Sequence, residues 1–122
     1  MFTDAQALAD RYVAAWNETD DPARRRAIAE LWALDGEHYV NARAVRGHAQ
    51  LEERVAGSHH KNVRDAGHRF RAVQDARALR DIVTFHWQMF APASSEVLAT
   101  GLEVLRLNAD GLIAVDYQFI VG

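Results

Sequence analysis

The 122-residue sequence contains no cysteine. That excludes disulfide staples, thiolate zinc sites and thiol nucleophiles, so packing alone must hold the fold together. Long apolar runs are missing as well. None approaches the roughly 18 residues that a membrane-crossing helix needs, and no membrane partner is expected. Residues Met1 to Asp10 carry acids and no basic flank before an apolar stretch, so they do not read as a secretory signal, and the cytoplasm is the expected location. No Gly-rich phosphate loop occurs, and with it goes the case for a nucleotide; no cofactor is expected. Repeats, linkers and low-complexity segments are absent too, so this length implies one domain, 1–122, around one core.

What is present is the composition of a globular protein, 49% hydrophobic and 25% charged residues. The net charge of −3 is unevenly spread: −4 over residues 1 to 23, +5 over 24 to 80 and −4 over 81 to 122. The basic middle interleaves Arg24, Arg25, Arg26, Arg64, Arg69, Arg71, Arg77 and Arg80 with acids, unlike the one-sided basic face of a nucleic-acid binder. No nucleic-acid partner is therefore expected.

Three helical patterns come first. Thr3 with Gln6 forms a capping box ahead of Leu8, Tyr12, Ala15 and Trp16, predicting a helix to about Asn17. Asp21 and Pro22 read as an N-cap and first-turn proline before Ala27, Ile28, Leu31 and Trp32, predicting a second helix that ends near Gly36. His38, Tyr39 and Val40 favour a short strand, and after Gly47 a third helical stripe carries Leu51, Val55 and His59. Gly57 within it should cost about 1 kcal/mol relative to Ala.

From Gly67 the period becomes two. Residues 68–75, 79–90, 97–108 and 112–121 read as four strands joined by short turns. Helices segregated from a strand meander predict an α+β domain with a mainly antiparallel sheet packed on three N-terminal helices.

Alternation assigns faces. Val83, Phe85, Trp87 and Met89 form one apolar set and point to the core. The set Val97, Ala99, Gly101, Leu105 and Leu107 is interrupted by Glu103, a carboxylate that must be protonated, paired or in a pocket. A buried ion pair with a helix arginine or an edge position are the structural alternatives to a functional pocket. In the last strand the apolar set Ile113, Val115, Tyr117 and Phe119 reads as core by pattern alone, whereas Leu112, Ala114, Asp116, Gln118 and Ile120 mix polar and apolar residues.

The segment Arg11-Tyr12-Val13-Ala14-Ala15-Trp16-Asn17, the aspartate pair after it, Arg46-Gly47, Leu105-Arg106-Leu107-Asn108 and Asp110-Gly111-Leu112-Ile113 follow one another as they do in the nuclear transport factor two-like superfamily. The chain resembles its SnoaL-like polyketide cyclases, ketosteroid isomerase and limonene epoxide hydrolase. The resemblance implies a curved sheet wrapped around helices into a cone with a deep apolar cavity, commonly in a dimer, and implies fold more strongly than chemistry. It places Tyr12 and Glu103 where ketosteroid isomerase keeps a tyrosine and a protonated acid that stabilise an enolate. It also turns Asp116, Gln118 and Ile120 toward the cavity, with Val115, Tyr117 and Phe119 covered by a second copy, a homodimer through the outer sheet face. The isomerase base falls at Val40-Asn41 here, and an amide cannot accept that proton. Tyr39-Val40-Asn41 is similar to the water-positioning motif of the epoxide hydrolase, but its Arg and Asp fall at Phe85 and Trp87 and its last acid near Gln118.

These readings converge on acid-base chemistry with a small apolar carbonyl compound: isomerisation, cyclisation or a lyase step. Tyr12 and Glu103 would stabilise oxyanion charge and Asp116 would act as base. Trp16, Trp32, Asn41, Val55, His59, Val83, Phe85, Trp87, Leu105 and Gln118 are the expected cavity wall, although aromatic residues and an inward histidine fill cores as readily as they line pockets. His59, His60, His68 and Glu103 lack the helical ligand spacing of a metal site, and no metal is expected. The competing reading is a binding or dimeric interaction module with the same cone and no working base.

Overall fold

The structure, a computed structural model, describes residues 4–122, so the expected cap at Thr3 lies outside the described residues. Helix α1, Ala5–Asn17, is capped by Asp4, whose carboxylate accepts from the Ala7 amide at 3.0 Å. Its stripe of Leu8, Ala9, Tyr12, Val13, Ala15 and Trp16 is buried as the periodicity implies. Gln6 bonds Val73 O and Ala76 N instead, pinning the helix start to a distant loop.

Helix α2, Asp21–Leu31, is capped by Asp20 rather than Asp21, and it stops at Leu31, well before Gly36. Trp32 already has extended backbone and opens strand β1, Trp32–Val40, which is longer than the expected His38–Val40. Gly36 lies where the strand register shifts. A Cβ there would sit 2.7 Å from the Trp32 ring and 3.1 Å from the Ile113 carbonyl oxygen, so the glycine permits a close backbone approach and does not end a helix. Asn41, at φ 52°, turns the chain into β2, Arg43–Arg46, a strand with no clear signal in the sequence. Helix α3, His48–Ser58, continues into a π-helical segment, His59–Asp65.

The remaining strands are β3 (Arg69–Ala72), β4 (Arg77–Leu79), β5 (Ile82–Ala91), β6 (Glu96–Leu107) and β7 (Ile113–Ile120). They form one seven-stranded sheet in the order β2-β1-β7-β6-β5-β3, with β4 also on β5. All pairings are antiparallel except β1 with β7. The expected α+β architecture is therefore present, with helices on the concave face of the sheet. Its core joins Tyr12, Trp16, Ile28, Trp32, Leu51, Val55, Val83, Phe85, Leu105 and Ile113.

One irregularity decides the faces of β7. Arg106 pairs with Val115 but Leu107 pairs with Ile113, so Ala114 is an extra residue in the ladder. Such a bulge exchanges the faces on its two sides. Ile113 therefore points to the core, whereas beyond the bulge Asp116 is wholly buried and Tyr117 and Phe119 are about half exposed. Tyr117 and Phe119 are consequently not core residues, which corrects the alternation pattern.

Candidate functional site

Asp116 is the centre of a buried polar cluster. Its Oδ2 accepts the Tyr12 hydroxyl at 2.6 Å and lies 2.9 Å from His38 Nδ1. Tyr12 comes from α1, His38 from β1, Asp116 from β7, and the neighbouring Glu103 from β6. His38, Glu103 and Asp116 have no solvent-exposed surface. Two isolated carboxylates could not both stay charged there, because burial and mutual repulsion favour a proton on one of them. Glu103 is the one that takes it. Burial and then the Asp116 charge push its carboxyl well above the ordinary range, although Trp87 Nε1 donates to its Oε1 at 2.8 Å.

Asp116 goes the other way. Burial pushes its carboxyl up, but hydrogen bonds with Glu103, His38 and Tyr12 and the charge of His38 outweigh burial and hold it below its usual value. Glu103 Oε2 and Asp116 Oδ1 have no other partner, and one proton carried by the glutamic acid toward Asp116 satisfies both. The Tyr12 hydroxyl is pushed well above its usual range by burial and then by the charge of Asp116. The arrangement is thus a neutral acid, an ionised acid and a protonated phenol within one closed group. One ligand atom from each of His38, Glu103 and Asp116 falls within 4.8 Å of the others, so the trio could also hold a small cation, whose charge would replace that of the shared proton.

Above this group lies a cavity of about 870 Å3, within the usual range for small-molecule sites. Tyr12 forms part of its wall, together with Trp16, Phe70, Trp87, Met89 and Gln118. Tyr12 is therefore the member of the cluster that meets the cavity; Glu103, Asp116 and His38 stand behind the wall. Tyr12 is fixed by Trp16, Trp32 and Phe85, whose ring centroids lie 6.0, 5.4 and 5.4 Å from its own. Gly101 makes room for Trp87, since a Cβ there would lie 2.1 Å from the indole.

Of the expected wall residues, Trp16, Trp87 and Gln118 line the cavity. Trp32, Val55, Val83, Phe85 and Leu105 pack behind it in the core, because each faces a neighbouring element across the helix–sheet interface. Asn41 is an exposed turn residue. His59 is buried with Nδ1 3.2 Å from Trp16 O, and burial lowers its pKa, so it braces the π-helical segment against α1. Four further residues belong to the site. His38 shows in the sequence only as a strand former, although it alternates with the buried Val40, and the wall cations Arg43, Arg54 and Lys61 carry no motif or spacing that singles them out.

The fold recurs in solved structures. A SnoaL-like protein from Agrobacterium tumefaciens, provisionally named an isomerase, is 25% identical, with 99% of this chain and 100% of that one covered and a TM-score of 0.88. A protein from Sinorhizobium meliloti, provisionally named a polyketide cyclase, is 12% identical over 92% and 93% of the two chains, with a TM-score of 0.67. A SnoaL-like protein of unknown function from Burkholderia thailandensis is 19% identical over all of both chains, with a TM-score of 0.72. A search of curated proteins gives no match. Residues 9–115 match the family model of the SnoaL-like domain, most of the chain and every member of the buried cluster except Asp116, and the chain belongs to that family.

Proposed function

We propose that the chain is an enzyme acting by acid-base chemistry on an apolar carbonyl compound, as an isomerase, cyclase or lyase. The observation that carries this reading is the 2.6 Å bond from Tyr12, on the cavity wall, to the ionised Asp116 behind it. A carbonyl oxygen bound at Tyr12 accepts the hydrogen bond that the phenol gave to Asp116 and so frees a lone pair on Asp116. This route requires the Tyr12 hydroxyl to turn from Asp116 to the ligand and so open the buried carboxylate to the cavity; Asp116 then accepts a proton from the carbon beside the carbonyl, and the electron pair of that C–H bond moves to the oxygen as an enolate held by Tyr12. Return of the proton from Asp116 to another carbon completes an isomerisation; attack of the enolate carbon on a second carbonyl, whose electron pair moves to its oxygen and takes the proton back from Asp116, completes a cyclisation. Glu103, neutral and hydrogen-bonded to Asp116, keeps the negative charge localised on the aspartate.

Exchange of the α-hydrogens of a simple benzo-fused cyclic ketone such as 2-tetralone for solvent deuterium, followed by mass spectrometry, tests this. Exchange above the buffer rate that is lost in Asp116→Asn and reduced in Tyr12→Phe is the expected result. A wild type no faster than buffer would overturn catalysis and favour the second reading, a binding module. The complete burial of Asp116 behind Tyr12 is the feature that favours that alternative. Under either reading we place a second copy of the chain on the outer sheet face, where Tyr117 stacks on Tyr39 and Phe119 stands exposed. Sedimentation of Phe119→Glu as a monomer beside a dimeric wild type would support that placement.

A further inference from the structure

Three cations line the cavity wall without an ion-pair partner. Arg54 comes from α3, Arg43 from β2 and Lys61 from the π-helical segment. Among the described residues, none of the three makes an ion pair within 4.0 Å, and none donates a side-chain hydrogen bond. Glu53 is the one carboxylate among the wall residues and it too is unpaired, so the cations exceed it by two.

Arg54 is the most constrained of them. It is half-buried, its Nε is shut off from solvent with no partner, and its guanidinium lies 5.1 Å from the centroid of the Trp16 ring. Stacking on an indole fixes the guanidinium plane while leaving its N–H edge available, the geometry that suits two-point recognition of a planar anion. Holding Arg54 near Arg43 is unfavourable unless something negative comes between or beside them; burial and then the Arg43 charge both push the Arg54 guanidinium down. An anionic ligand relieves that repulsion.

We propose that the cavity takes an aromatic or alicyclic compound bearing a carboxylate, with the carboxylate on Arg54, assisted by Arg43 and Lys61, and the apolar body against Trp16, Phe70 and Trp87. This rests on the reading that the cavity holds a small molecule, which the catalytic and binding accounts share, and not on the proton transfer. It narrows the substrate class. The carbonyl that meets Tyr12 belongs to a molecule whose other end is charged, so binding at the wall cations fixes which carbon is presented to Asp116.

The test compares 2-naphthoate with its neutral isostere 2-naphthamide by quenching of tryptophan fluorescence. The wild type should bind the acid about tenfold more tightly than the amide, with a preference that shrinks as salt rises. Arg54→Gln should bind both alike. Arg43→Gln, an exposed position where folding is not at risk, should lower the preference by about threefold and leave amide binding unchanged. Equal binding of the two probes by the wild type, or a preference that survives in Arg54→Gln, overturns the anionic-ligand inference while the cavity reading stands. Binding of neither probe overturns both. Deuterium exchange into 2-tetralone, a neutral ketone, fails or succeeds independently of these outcomes.

Discussion

The two ends of the cavity handle charge in opposite ways. At the floor, Tyr12, His38, Glu103 and Asp116 are removed from water, and all but the second ring nitrogen of His38 are set against one another or the Trp87 indole: hydroxyl to carboxylate, imidazole to carboxylate, indole to neutral acid. Toward the mouth, Arg43 and Lys61 are exposed and Arg54 is half-buried against Trp16, and none of the three has an ion-pair or hydrogen-bond partner among the described residues. The physical reason is the cost of an unpaired charge, several kcal/mol in the interior and little at the surface. The floor must therefore be complete before any ligand arrives. The mouth can wait for one.

Breaking the floor should consequently cost stability, and the largest loss is expected from Asp116→Ala. That change strands the Tyr12 hydroxyl and the His38 ring in a closed site, and about 3–5 kcal/mol should disappear in urea unfolding. A loss below about 1 kcal/mol would mean that the floor is no more interdependent than the mouth. Next comes Gly101→Ala, which places a Cβ where the Trp87 indole now lies. Trp87 must swing away from Glu103, costing about 1–3 kcal/mol, and its fluorescence should shift with the loss of the Nε1 bond.

The pH dependence separates the two floor acids. Glu103 binds its proton more tightly in the folded chain, so its contribution is complete below the ordinary value of 4.5 and is lost as pH rises toward its raised folded pKa. Over that interval stability should fall by up to about 1.4 kcal/mol per pH unit, and Glu103→Gln should flatten the decline. Asp116 has the opposite sign. Its contribution is present above 3.8 and is lost as pH falls through its lowered folded pKa, a decline that Glu103→Gln should leave in place. Equal pH profiles for wild type and Glu103→Gln would remove the assignment of the shared proton to Glu103.

At the mouth the same measurements should barely move. Arg54→Gln should change unfolding free energy by less than about 1 kcal/mol while abolishing discrimination between naphthoate and naphthamide. Gly57→Ala is the smallest change and has the opposite sign. The glycine lies in α3 on the cavity wall, and a Cβ there meets nothing within 4 Å. A gain of up to about 1 kcal/mol is expected from helix propensity alone, readable as a higher midpoint in urea.

Local signals were readable because local physics produces them. The stripe from Leu8 to Trp16 gives α1, and alternation through Val83, Phe85 and Trp87 gives the inner face of β5. Glu103 stood out because a carboxylate in an apolar row demands an explanation, and the structure supplies one in Trp87 and Asp116. The end of α2 was misread because Ala27, Ile28, Leu31 and Trp32 continue a helical stripe, whereas Trp32 keeps its place in the core by starting a strand. Asn41 and His59 drew attention as chemical groups, but their surroundings make one a turn residue and the other a brace.

Residues close together in the chain suffice to specify α1, the inner face of β5 and an acid where an apolar residue belongs, since propensity, capping and side-chain period act within a few residues. Which face of β7 meets the cavity depends on pairing across the sheet, because a bulge is a property of a strand pair and not of one strand. The same holds for the hydrogen bond from Tyr12 to Asp116, 104 residues away, and for the three cations from a strand, a helix and a π-helical segment that line one cavity wall. Hydrogen bonds and charge interactions depend on distance in space, and chain closure alone sets that distance.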